Sequence, residues 1–418
     1  MHSEGVEDNH PALLPGEAIS FGLVPRSINV KAVILVGGEG TRLRPLTIHR
    51  PKPMQPVANR PFIEHVFRHL KTHGVNDIIL SMCYLPGIIQ EYFGDGSAFG
   101  VHLTYVTEEQ ALGTAGAVKN AEMQGLLTSD EPVFVLNGDI LTDLDLRAML
   151  AFHRAHGALG TIALTPVEDV RAYGLVDCDE SGRVQRFIEK PKSLEGITTN
   201  LINAGTYILE PAALRLVPPN QFYQFEQALF PHLLREGDAL FGYPSEGYWL
   251  DIGTPEKYKT ANVDMLLGQI AACFEGEQRV QGVWVGPGCE IDPSAELIGP
   301  VVLGKRCVVG AGARLVGPVV LGDGCEIGPG VHLERAVLWE QVRVGLPTSE
   351  PIKVDATIKT DVTQVRNSLV GTGCTIGSGC QLDGVVIADH CMIGFGNMLS
   401  HGLKLWPHRT LEPQTITF

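Results

Sequence analysis

Nothing in this 418-residue sequence stays apolar long enough to cross a bilayer; its hydrophobic runs fall well short of the roughly 20 residues a spanning helix needs. Met1 to Ser27 lacks the basic start and apolar middle of a secretory leader, so a soluble, cytoplasmic protein is expected. Paired cysteines are missing too. Nine cysteines occur without one CxxC spacing, which argues against a disulfide framework and against a structural zinc site. Positive charge is in short supply: 32 Lys and Arg face 47 Asp and Glu, a net charge of −15, so general nucleic-acid binding is not expected. What the chain does have is 48 glycines and 27 prolines in a background 44% apolar, too hydrophobic for disorder. At this length two or three domains are expected.

Pattern divides the chain into three parts. Residues 1–28 carry Pro, Gly and acids without periodicity and read as a loosely held tail. From Val30 onward short apolar runs (Val33 to Val36, Ile78 to Leu80, Val133 to Leu136, Thr161 to Leu164) alternate with helical spacing, as in Pro61 to His73, where Phe62, Val66, Phe67 and Leu70 share a face. This alternation predicts an α/β, Rossmann-like domain over 29–280 with a mostly parallel sheet, whose ligands bind beyond the carboxyl ends of the strands. Thr254 and Pro255 predict a linking helix from 255 to about 273.

The last third, 281–418, is a hexapeptide repeat. Val285, Ile291, Leu297, Leu303, Val309, Leu315, Leu321, Ile327 and Leu333 follow one another by six, each with a small or branched residue four positions on, ending at Val337. A second run holds Val370, Ile376 and Leu382, then, after a five-residue step, Ile387, Ile393 and Leu399. Three hexapeptides per coil predict a stacked β-helix of three plus about two coils, with an insertion at about 340–366. Six cysteines (Cys289, Cys307, Cys325, Cys374, Cys380, Cys391) take the inward small position and are expected as packed thiols.

The chemistry starts after the first strand, at Gly37-Gly38-Glu39-Gly40-Thr41-Arg42. Glycines there let backbone N–H groups approach phosphates. Neither common phosphate-loop pattern fits, since GxxxxGK[ST] lacks its Lys and GxGxxG meets Leu43. From Gly40 to Ile63, however, Arg42, Arg44, Arg50, Lys52 and Arg60 occur with no acid. A positive island in an acidic domain suits a polyphosphate.

Gly37 to Thr47 with Pro51-Lys52-Pro53 resembles the signature of the sugar-1-phosphate nucleotidyltransferases. The likeness continues in order through Leu112-Gly113-Thr114-Ala115-Gly116, Leu136 to Asp139, Tyr173-Gly174-Leu175-Val176, Phe187 to Pro191, Asn203 to Tyr207 and Trp249 to Gly253. That family often appends a left-handed hexapeptide β-helix. The resemblance implies transfer of a nucleotidyl group from a nucleoside triphosphate to a sugar 1-phosphate, with release of pyrophosphate. Leu35, Gly37, Gly38, Gly40, Thr41, Leu112, Gly113, Thr114 and Gly116 would line the nucleotide site, and Arg42 and Lys52 would hold its phosphates. Asp139 and Asp251 would bind Mg²⁺, which takes carboxylate and phosphate oxygens together. Tyr173, Gly174, Glu189, Lys190 and Asn203, with those two aspartates, would hold the sugar phosphate; Arg42, Lys52, Asp139, Lys190 and Asp251 form the catalytic set.

Leu-Gly-Thr-Ala-Gly, Asn-Ala-Gly-x-Tyr and Leu403 to Pro407 are most similar to the mannose-1-phosphate guanylyltransferases, which implies GTP and GDP-mannose. Thymidylyl- or uridylyltransferases acting on glucose 1-phosphate remain alternatives, as does a subunit that senses nucleotide sugar without catalysis. Acyl transfer through His332, His390 or His401 is a further reading without a companion signature. The exposed faces and end coil of the β-helix predict a homo-oligomer.

Overall fold

The computed structural model describes residues 28, 30–127, 130–193, 195, 197–346 and 362–417; the tail read over 1–28 lies outside these apart from Ile28. A nine-stranded sheet forms the first domain. Its strands are β1 (Lys31–Leu35), β2 (Asp77–Met82), β3 (His102–Thr107), β4 (Val133–Asn137), β5 (Gly160–Pro166), β6 (Gly174–Cys178), β7 (Val184–Glu189), β8 (Leu201–Leu209) and β9 (Leu240–Pro244). They run β7-β6-β8-β4-β1-β2-β3, with β5 pairing β8 and β9. β3, β2, β1 and β4 are mutually parallel, whereas β8 joins β4 antiparallel.

β1 is apolar on both sides because both are covered. Ala32 and Ile34 pack with helix α1 (Phe62–Thr72), where Phe62, Val66, Phe67 and Leu70 are buried; Val33 packs with Ala115, Val118 and Ala121 of α2 (Gly113–Met123) on the opposite face. Each fully buried Val, Leu, Ile or Phe among them contributes about 2 kcal/mol. Helix α3 (Pro255–Leu266) begins as predicted, with Thr254 accepting from the Lys257 N–H, but ends at Leu266 rather than about Cys273. Gly268 in the left-handed region turns the chain out of the helix there.

The second domain is a prism of three sheets, parallel apart from one antiparallel strand at the start of the first, with successive strands mostly 17 or 18 residues apart. All nine cysteines are free thiols, and Cys307, Cys325, Cys374, Cys380 and Cys391 are buried. Several thiols donate to a carbonyl one coil on, as Cys307 does to Gly322 (3.1 Å) and Cys325 to Trp339 (3.0 Å). The stack is taller than the repeat count implied: among the described residues its second sheet has seven strands and its third six. The insertion is also shorter than 340–366, because Arg343–Val344 pairs with Thr375–Ile376 and Gln364–Arg366 pairs with His332–Glu334. Residues 347–361 lie outside the described set. The repeat slips here. Ala336 and Leu338 take the inward positions five residues after Val331 and Leu333, so Val337, expected inside, packs against the first domain.

That contact joins the two domains. Val302, Val320, Val337, Trp339, Leu369 and Val386 belong to the same apolar cluster as α1 and α3. The Trp339 indole N–H donates to the Tyr258 hydroxyl (3.0 Å), which itself donates to the Pro56 carbonyl. Arg50 pairs with Glu340 (3.2 Å) and stacks on Trp339, 5.0 Å from the ring centroid. Burial raises the Glu340 pKa, but the adjacent Arg50 outweighs it and leaves the carboxyl below its ordinary value. No helix among the described residues is long and apolar enough to cross a membrane.

Candidate active site

Parallel pairing of β1 and β4 puts two chain segments side by side beyond their carboxyl ends. The Gly138 N–H donates to the Leu35 carbonyl (2.9 Å), and a Cβ on Gly138 would stand 2.4 Å from Val36 Cγ1. Only glycine lets the β4 turn lie this close to the loop Gly37 to Gly40. Asp139 follows. Trp249–Asp251 then pairs antiparallel with Ile140–Thr142, and the Ile252 N–H donates to the Asp139 carbonyl (3.1 Å), which brings Asp251 beside Asp139.

Lys52 stands between the two carboxylates. Its side chain is buried, with Nζ 2.6 Å from Asp139 Oδ2 and 3.6 Å from Asp251 Oδ1. Asp251 is 6% exposed, and its Oδ1 has no hydrogen-bond partner among the described residues. Two adjacent carboxylates, one with an orphaned buried oxygen, suit a hard divalent cation that also takes phosphate oxygens. They do not make a closed protein cage, since no group of three or more His, Cys, Asp or Glu able to hold a metal occurs among the described residues.

A cavity of about 460 Å³ opens onto this cluster. It is lined by Leu35, Gly37, Gly38, Gly40, Thr41, Arg42, Lys52, Gly113, Thr114 and Asp139, all singled out in the sequence. Arg42 is exposed at its rim and forms no ion pair among the described residues. The other cations of the acid-free stretch are taken up elsewhere: Arg44 by Glu39, Arg50 by Glu340, Arg60 by Glu64 and Glu275. Leu112 and Gly116 support the wall instead of lining it. The Leu112 carbonyl accepts from the Tyr223 N–H (2.8 Å), and a Cβ on Gly116 would meet the Gln221 carbonyl at 2.7 Å.

Apart from Asp139, the residues expected to hold a sugar phosphate lie outside this lining. Tyr173 packs edge-on against Trp249, with ring centroids 5.4 Å apart. Gly174 pairs with Glu189 across β6 and β7, and Asn203 donates to the Tyr207 hydroxyl (2.9 Å) and accepts from the Gly205 N–H. Lys190 is exposed, paired with Glu189 at 3.2 Å, and does not reach the cavity. His332, His390 and His401 do not line the cavity either; His390 stacks on His408 in the β-helix.

Three acidic or basic residues near the site escaped the sequence reading. Glu108, 8% exposed, lines the cavity and accepts from the Ser81 hydroxyl and the Leu112 N–H, both at 2.8 Å. Glu226 accepts from Thr114 (3.1 Å) and Tyr207 (3.2 Å), and burial pushes its carboxyl pKa up. Lys257 reaches both Tyr173 (2.5 Å) and Asp251 Oδ2 (3.5 Å). Burial opposes the Lys257 charge, but these partners raise its pKa above the ordinary lysine value. No motif marks the three.

A parallel-centred α/β sheet with a glycine loop, two cavity-facing cations and paired aspartates at its strand ends defines a nucleotide-binding transferase, and the family comparison agrees. The nucleotidyl transferase family profile matches residues 31–267, and the bacterial transferase hexapeptide (six repeats) profile matches 282–317. The chain belongs to the nucleotidyl transferase family. It is 40% identical over 291 residues to mannose-1-phosphate guanylyltransferase of Mycobacterium tuberculosis, covering 65% of this chain and 79% of that one. It is 38% identical over 273 residues to mannose-1-phosphate guanyltransferase of Eremothecium gossypii, covering 65% and 73%. Among solved structures, a Bacillus anthracis protein described as a candidate glucose-1-phosphate thymidylyltransferase, in complex with sucrose, superposes with TM-score 0.52 at 25% identity, over 59% of this chain and 98% of that one.

Proposed function

We propose that the protein transfers GMP from GTP to mannose 1-phosphate, forming GDP-mannose and pyrophosphate. The observation that carries the reaction class is the cavity in which Gly37, Gly38, Gly40, Arg42 and Lys52 meet Asp139, with Asp251 directly behind. A phosphate oxygen of the sugar phosphate attacks the α-phosphorus in line, and pyrophosphate leaves. The attacking oxygen is ionised at neutral pH, so no general base is needed. The barrier is the approach of two anions, which is lowered by positioning and by positive charge. Arg42 and Lys52 supply that charge on the triphosphate side. Asp139 and Asp251 would hold a divalent cation, Mg²⁺, whose chemistry is to neutralise phosphate oxygens. Tyr173, Gly174, Glu189 and Asn203 hold the sugar phosphate, and Lys190, in solvent beside Glu189, adds positive charge outside the cavity. Retention of Arg42, Lys52, Asp139 and Asp251 together speaks against a purely sensing subunit.

Glu108 supports guanine. A carboxylate only accepts hydrogen bonds, and after Ser81 and Leu112 it still has lone pairs to offer. Guanine presents two adjacent donors, N1–H and the 2-amino group, whereas the matching edge of adenine presents one donor, the 6-amino group, beside an acceptor, and that of thymine or uracil a single donor between two carbonyls. Pyrophosphate release from GTP, ATP, UTP and dTTP, each with mannose or glucose 1-phosphate, tests the assignment; a preference for dTTP with glucose 1-phosphate overturns it. Glu108→Gln is expected to lower kcat/KM for GTP roughly 10- to 100-fold, as loss of a polar base contact worth about 1–3 kcal/mol implies. An unchanged base preference in that variant would refute the role of Glu108.

A further inference from the structure

Asp251 Oδ1 lies buried without a hydrogen-bond partner among the described residues, 3.6 Å from Lys52 Nζ. What keeps it turned that way is the other oxygen of the same carboxylate. Lys257 Nζ stands 3.5 Å from Asp251 Oδ2 and 2.5 Å from the Tyr173 hydroxyl. The lysine is anchored from its backbone: it sits in the first turn of α3, where its N–H donates to Thr254 Oγ1 at 3.3 Å. Tyr173 also packs edge-on against Trp249, whose indole N–H donates to the Ala204 carbonyl at 2.8 Å. Trp249 lies two residues before Asp251 on one strand. Aspartate, lysine, tyrosine and tryptophan therefore close a ring. Its aspartate belongs to the proposed cation site beside Lys52 and its tyrosine to the sugar-phosphate side.

We propose that Lys257 is a positioning residue that locks Asp251 and Tyr173 into one unit and so fixes the spacing between the two substrate halves. This rests on the function proposed above. A carboxylate on a single flexible bond rotates readily. Holding Oδ2 leaves Oδ1 aimed at the cleft, and holding the tyrosine hydroxyl with the same ammonium makes any shift of one partner a shift of the other.

The test is a double-mutant cycle of Lys257→Met and Tyr173→Phe in the full-length protein, with Lys257→Arg as the conservative control. Lys257→Met is expected to lower kcat roughly 10- to 100-fold, the effect of a displacement on the order of 1 Å at a reacting centre, with KM for GTP changed less than about twofold. The double variant should lose no more than the worse single variant, because both substitutions break the same link. Lys257→Arg should recover most of the loss. Trp249 fluorescence, isolated by subtracting the Trp249→Phe signal, should report weaker binding of mannose 1-phosphate by Lys257→Met without turnover. Losses that multiply in the double variant, or a rise in KM for mannose 1-phosphate at unchanged kcat, would show a separate phosphate contact and overturn the proposal. So would wild-type kinetics. If the wild-type protein works only with another substrate pair, the GTP and mannose assignment fails while the same cycle, run with that pair, still decides the role of Lys257.

Discussion

Lys52→Met removes the cation placed between the two site carboxylates while keeping most of the side-chain volume. Lys52 is 8% exposed, 2.6 Å from Asp139 and 3.6 Å from Asp251, so its charge is pre-positioned and needs no reorganisation when negative charge moves onto the leaving pyrophosphate. Loss of one such group typically costs about 100- to 1,000-fold in kcat, or about 2.7–4 kcal/mol. The resting protein should suffer too. Breaking a fully buried ion pair costs about 3–5 kcal/mol, but the Asp139 side chain is 34% exposed, which lowers the expected loss of stability to about 2 kcal/mol. Continuous pyrophosphate detection gives kcat and KM for each substrate, and thermal melting with and without Mg²⁺ gives the second effect. Added Mg²⁺ should raise the melting temperature of the variant more than that of the wild type, since it restores positive charge between Asp139 and Asp251. Turnover within about threefold of wild type would refute the electrostatic role, which predicts a loss of at least about 100-fold.

Gly253→Ala should damage activity more than stability. Its Cβ would lie 2.9 Å from the Arg42 guanidinium and 3.0 Å from Asp251 Oδ1, so Arg42, at the cavity rim, must swing away. A fall in kcat of about tenfold or more with a melting point within a few degrees is expected, and an equally active variant would show that the observed Arg42 position is not required. A third prediction concerns pH. Burial lowers the His65 and His69 pKa values from 6.5 to about 4, so between pH 6.5 and 4 the unfolded chain binds more protons and stability falls as pH falls. The contribution is complete above pH 6.5; at pH 5 each histidine should cost about 2 kcal/mol. Urea midpoints at pH 7 and pH 5 measure this, and His65→Phe should flatten the dependence. Equal midpoints at the two pH values would contradict it.

Periodic features were legible in the sequence because they repeat along the chain. The α1 face of Phe62, Val66, Phe67 and Leu70 and most inward positions of the β-helix lie where spacing puts them. The phase slip at Ala336 was not legible, since Ala336 and Val337 both fit an inward slot and only the packing of Val337 on the first domain separates them. The paired aspartates were readable from motifs at strand ends. Glu108, Glu226 and Lys257 were not, because each reaches the site through tertiary approach from a segment whose local pattern is ordinary. Lys190 is the converse case: its motif is plain, yet its side chain sits in solvent beside Glu189.

The acid-free stretch from Gly40 to Ile63 combines both kinds of information. Read as sequence it is a uniform block of positive charge. In the fold its cations point different ways, Arg42 and Lys52 into the cleft, and Arg50 onto Glu340 and Trp339 of the β-helix. Asn59 continues that contact by donating to the Leu321 carbonyl at 2.7 Å, and the Ala58 N–H is held by Asn262 of α3 at 2.9 Å. The segment that carries Lys52 is thus fastened on its far side to the second domain and to the helix that carries Lys257. A lysine required to meet two aspartates within a few tenths of an ångström needs a rigid stem, and here the β-helix forms part of that support.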